Sequence, residues 1–143
     1  MSVEAQRVAC VDELAAHGNP LTILDRSVDT LLAHAYALDQ LLGFDVHRRV
    51  RARIQVLPHL RPDLTIYIDT PIDTLTARRA TQGHPAELYF LHDPEFLRHT
   101  RDYFLAAPVP PASDRIITVN GNNAPDAIAA YVAAVVEHER SRA

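Results

Sequence analysis

One stretch of the chain joins a short apolar run to an acid, a base and a hydroxyl: Leu21-Thr22-Ile23-Leu24-Asp25-Arg26-Ser27. The run follows Gly18-Asn19-Pro20, a strong breaker. A short apolar run bounded by turn residues reads as a buried strand, of the kind found in parallel sheets. In open α/β sheets ligands bind beyond the carboxyl ends of the strands. Asp25 and Arg26 are therefore expected at a ligand site. The plainer alternative is an Asp-Arg pair that only ends a strand.

Other reactive side chains offer less. The eight His residues show no paired spacing suited to zinc. His92 and Asp93 beside Glu95 could bind a metal, but a loop-to-helix cap explains them better. Ser113-Asp114 reads as a turn before a strand, and the absence of a Gly-x-Ser-x-Gly element argues against an α/β-hydrolase. A single cysteine, Cys10, excludes a disulfide framework and a Cys-rich metal site; its place in a helical apolar pattern suggests a buried thiol.

The 143 residues suit one domain, and 48% hydrophobic with 22% charged residues is an ordinary globular composition. A net charge of -4 gives no basic footprint for nucleic acid. No apolar stretch approaches a membrane span, so no membrane partner is expected. Met1-Ser2-Val3-Glu4-Ala5 has neither a charged nor an apolar leader region, which makes the cytoplasm the expected location. All 14 basic residues are Arg.

The elements that must position these residues alternate. Val8, Val11 and Leu14 mark a helix over 3–17, stopped by His17-Gly18. The strand at 21–25 follows. Leu31, Ala35, Leu38 and Leu42 form a helical stripe over 28–42, ended by Gly43. Val46, Val50, Ile54 and Leu57 predict a helix over 46–60, closed by Pro62. Leu64-Thr65-Ile66-Tyr67-Ile68-Asp69 is the clearest strand, and Thr70-Pro71-Ile72-Asp73 then starts a helix to about Gln82. Gly83-His84-Pro85 breaks it, residues 86–92 read as loop or helix, and Asp93-Pro94 opens a helix carrying Phe96, Thr100 and Phe104. Arg115-Ile116-Ile117-Thr118-Val119 predicts a third strand, and Ile128, Tyr131, Val132, Val135 and Val136 a final helix. Strands alternating with helices predict a three-layer α/β/α domain with a small, mostly parallel sheet.

Leu24-Asp25-Arg26, a helix with Ala35-Tyr36, and Arg61-Pro62-Asp63-Leu64-Thr65 running into an aliphatic strand that ends at Asp69 resemble the thymidylate kinase family. Phe96, Arg101 and Tyr103 fall where that family has an aromatic, an Arg and a Tyr on its late helix. The likeness spans residues 5 to 136, about the C-terminal two-thirds of such a P-loop kinase fold, and extends to the wider nucleotide and nucleoside kinases. It implies ATP- and Mg²⁺-dependent phosphorylation of a nucleoside monophosphate such as dTMP, this chain supplying the acceptor and lid regions. It implies that Asp25 acts near Mg²⁺-bound phosphates or orients the acceptor, and that Arg26 holds the acceptor phosphate. Ser27, Tyr36, Gln40 and Arg101 would contact the acceptor. Arg78 and Arg79 would reach ATP phosphates, unless they are solvated helical arginines; the alternative for Arg101 is a pair with Glu95 or Asp102.

The chain departs from the family in several places. It has four Gly, no Lys, and hence no Gly-rich Lys-Ser/Thr loop to cradle phosphates. The strand preceding that loop would lie between the strands at 21–25 and 64–69, so either these two pair directly or another chain, in a homodimer or a heteromeric assembly, fills the gap. Ser27 replaces an aromatic or His, Ala37 replaces the Gln that reads thymine, and the lid arginines expected over 84–90 are absent. Negligible kinase activity of the chain alone is expected. A non-catalytic nucleotide-binding module and an assembly protein are the alternatives.

Overall fold

The computed structural model describes residues 3–18, 21–81, 93–106 and 109–142. Two strands, β1 (Leu64–Asp69) and β2 (Arg115–Asn120), pair in parallel, with Leu64 opposite Arg115 and Asp69 opposite Asn120. The described helices are α1 (Val3–Ala16), α2 (Val28–Leu42), α3 (Val46–Val56), α4 (Ile72–Thr81), α5 (Pro94–Leu105) and α6 (Pro125–Arg140). The class is mixed α/β with a small parallel sheet.

Side-chain alternation splits β1 between two environments. Thr65, Tyr67 and Asp69 meet Asp29, Phe104 and Arg101, so that face lies under α2 and α5. Ile68 belongs to the opposite face and fronts a groove shared with α6. The core joins Leu32, Ala33 and Tyr103, packed by Tyr36, Val50, Ile54 and Phe104. Asp93 caps α5 by accepting from the Glu95 and Phe96 amides (2.8 and 3.4 Å), and Gly43, with φ of 67°, closes α2 in the left-handed region.

Four expectations need correction. Residues 21–24 join no strand pair, and Ile23 is 71% exposed. A strand persists only where a neighbour answers its backbone groups, and among the described residues none does. The helix expected over 46–60 stops at Val56, because Leu57 precedes Pro58 and is held extended (φ -109°, ψ 146°). On α2 the buried face is Val28, Leu32, Ala33, Ala35 and Ala37, whereas Leu31 and Leu42 are exposed; small alanines let α3 and α5 approach closely. Cys10 is exposed rather than buried, because α1 packs along none of the other described helices. The segment 84–90 and His92 lie outside the described residues.

Candidate functional site

The chemistry-bearing stretch leads into α2. Ser27 is its N-cap, its hydroxyl accepting from the Asp29 amide (3.2 Å). Arg26 has φ of 64°, a left-handed backbone that costs a side-chain-bearing residue about 1 kcal/mol or more. Arg7 donates to its carbonyl (3.3 Å). Asp25 and Arg26 are exposed, and among the described residues their side chains form no ion pair or hydrogen bond. Burial, seconded by the Arg26 charge, holds His34 below the usual imidazole range.

Two residues further on, Asp29 is fully buried and accepts four hydrogen bonds. Its Oδ1 takes the Tyr103 hydroxyl (3.0 Å) and the Ala112 amide (2.6 Å). Its Oδ2 takes the Ser113 amide (2.9 Å) and the Thr65 hydroxyl (3.3 Å). Thr65 and Ser113 lie at the amino-terminal ends of β1 and β2. The start of α2 is thus anchored at the amino end of the sheet, and the expectation that Asp25 and Arg26 cap a sheet strand at its carboxyl end does not hold. Sequence reasoning passed over Asp29 because its partners lie 36 to 84 positions away and leave no local signal.

The carboxyl end of β1 carries a different group. Arg101 grips Asp69 with both arms of its fork, Nε to Oδ1 at 2.6 Å and a terminal nitrogen to Oδ2 at 2.8 Å. Neither Glu95 nor Asp102 is its partner; both carboxylates bind Arg98. A 280 Å³ cavity lined by Pro71, Ile72, Asp73, Arg98 and Arg101 opens beside the pair. Tyr67 stacks on Phe104 at 4.3 Å; burial, then the Asp69 charge, pushes its hydroxyl up to about 12. Gly121 passes so close that a Cβ there would lie 2.0 Å from the Thr70 hydroxyl oxygen. Arg78 donates to the Gly121 carbonyl (3.0 Å), tying α4 to the end of β2, whereas Arg79 has no polar partner among the described residues.

Tyr36 packs against His47 and Tyr103, both with ring centroids at 6.2 Å, and Gln40 is exposed near the end of α2. Ser27 and Gln40 are separated by about 20 Å along the helix, at 1.5 Å per residue. They cannot touch one small acceptor together. Asp25, Arg26 and Ser27 thus stand together before α2, whereas Arg101 is held by Asp69 at the carboxyl end of β1.

His47 begins α3, where Asp39 accepts from the Val46 and His47 amides (2.6 and 3.0 Å). Its ring is buried, and its Nε2 has no hydrogen-bond partner among the described residues. Burial, then Arg51, lowers its pKa against the opposing pull of Asp39. With the folded pKa of His34 and His47 below the ordinary 6.5, their contribution is complete above that value and is lost as pH falls through the folded pKa. Urea midpoints should be level between about pH 7 and 8 and fall below about pH 6.5, less steeply in His47→Gln. A flat profile down to about pH 5 would contradict this assignment.

Among the described residues no cluster of three or more metal-ligating side chains occurs. Mg²⁺ commonly takes one or two carboxylates and completes its shell with phosphates and water, a share Asp25 alone can offer. ATP fits less well, since the chain has neither Lys nor a Gly-rich loop for its phosphates. No described helix is long and apolar enough to cross a membrane. Compared with protein-family models, curated proteins and solved structures, the chain matches none.

Proposed function

We propose that the chain is the acceptor side of a thymidylate-kinase-like phosphotransferase of the cytoplasm, binding a nucleoside monophosphate such as dTMP. ATP-dependent transfer requires a phosphate-cradling loop that this sequence does not contain. The observation that carries the reading is Arg26: an exposed guanidinium on a strained, left-handed backbone, with no ion pair among the described residues. Strain of this kind persists where the surroundings enforce it and concentrates at functional positions. A guanidinium fork matches phosphate oxygens, and Asp25 beside it can share the Mg²⁺ that accompanies a phosphate. Arg98 and Arg101 are neutralised by carboxylates, which leaves Arg26 the better phosphate ligand.

Calorimetry with dTMP tests this. Arg26→Ala should weaken binding about 10- to 100-fold, the value of one or two charge-assisted hydrogen bonds, with the unfolding midpoint little changed. Arg79→Ala should leave affinity within about 2-fold. Absence of heat with dTMP and other nucleoside monophosphates, on a folded chain, would refute the reading. The second reading, a non-catalytic binding or assembly protein, is favoured by the missing phosphate loop; binding without phosphate transfer when ATP and Mg²⁺ are added would support it.

A further inference from the structure

Among the described residues β1 is paired on one edge only. In a parallel strand alternate residues direct N–H and C=O groups away from the partner, so its other edge carries a row of unanswered backbone groups. Native edge strands are usually blunted by Lys, Pro, a bulge or an inward charge. Leu64–Asp69 has none of these: its one charge is the terminal Asp69, already held by Arg101. A groove of about 740 Å³ is bounded by Ile68 of β1, by Ile23 of the unpaired stretch, and by Ile128, Val132 and Val136 of α6. Ile23 and Ile68 are 71% and 47% exposed there, an unusual state for adjoining large aliphatics. The charge on its wall is also one-sided. Arg78 lines the groove, and α6 opens against it at Pro125 with no side chain capping its first amides. Arg78 favours an anion at that end, whereas the α6 terminus adds little, because Asp126 already stands in its first turn.

We infer that this groove takes an extended apolar strand from another polypeptide, hydrogen-bonded to the free edge of β1 and carrying an acidic residue at the end beside Arg78. Backbone pairing supplies the hydrogen bonds, apolar side chains cover Ile23, Ile68 and the α6 face, and the acid answers Arg78. The inference stands apart from nucleotide binding, since Arg26 does not line the groove.

The probes are two Lys-solubilised peptides, Val-Ile-Val-Ile-Val-Asp and its reverse, added to the full chain. Amide hydrogen exchange is read over residues 64–69, and affinity by calorimetry. At least one peptide should bind and slow exchange at alternate β1 amides about 10-fold or more. Replacing its Asp by Lys should weaken it about 3-fold or more, an effect lost in Arg78→Gln. Ile68→Lys should abolish binding while the far-UV spectrum is retained. The inference is overturned if neither peptide binds the folded chain, or if a peptide with proline at its two central positions binds equally. It is also overturned if the chain dimerises alone with β1 amides protected, which would make a second copy the occupant. A peptide that binds without protecting β1 would likewise overturn it.

Discussion

Asp29→Ala should lower the stability of the chain by about 3–5 kcal/mol, most of the margin of a small domain. The carboxylate joins four elements of the fold: it sits in the first turn of α2 and accepts from α5, from β1 and from the turn before β2. Alanine leaves the Ala112 and Ser113 amides without an acceptor in a site where Asp29 itself has no exposure. Each orphaned buried donor costs about 1–3 kcal/mol. Asp29→Asn recovers only part of the loss. Its carbonyl oxygen can serve one amide, but its NH₂ then faces the other, donor against donor. Urea unfolding with an unchanged slope is the measurement. A midpoint equivalent to less than about 1 kcal/mol of loss would show that Asp29 does not hold these elements together.

The same residue marks the limit of what the sequence discloses. β1 and β2 were legible because β-branched and aromatic residues alternate between breakers, and α5 because Asp93-Pro94 is a cap followed by a first-turn proline. Residues 21–24 carry an equally good strand pattern and are not a strand. Composition reports the capacity for pairing, whereas pairing itself needs a neighbour, and among the described residues the sheet ends at β1. The buried face of α2 was misplaced for a related reason: leucines weigh most in a hydrophobic stripe, yet a close helix contact selects alanines. For the candidate site, the residue types were legible and their partners were not. Arg101 stands six and one residues from two helix neighbours of suitable charge, Glu95 and Asp102, but its fork reaches back 32 positions to Asp69. Ser27, which the family resemblance implies as a ligand contact, caps α2 with its hydroxyl. Local pattern determines elements; which polar groups meet depends on how the elements dock.

Tyr103→Ala should cost about 3–5 kcal/mol, and Tyr103→Phe only about 1 kcal/mol. The ring is 1% exposed and fills the junction of α2, α3 and α5, with Leu32 and Ala33 beneath it. Tyr36 and His47 flank it at 6.2 Å between ring centroids, and Phe104 meets it edge-on at 5.2 Å. Truncation to alanine removes the dispersion contacts of the ring and leaves a cavity that rigid helices close only in part. Phenylalanine keeps that packing and removes one donor from Asp29, whose Oδ1 still accepts from the Ala112 amide. Burial, then the charge and hydrogen bond of Asp29, raises the Tyr103 hydroxyl well above the usual phenol range, so it remains a donor throughout the pH range of the measurement. Because hydroxyl and carboxylate touch, the Asp29→Ala and Tyr103→Phe changes should not add: the double variant should be more stable than the sum of the singles implies, by about 0.5–1.5 kcal/mol. Strict additivity would place the value of Tyr103 wholly in its ring and would remove the hydroxyl from the group of contacts that fixes α5 against the start of α2.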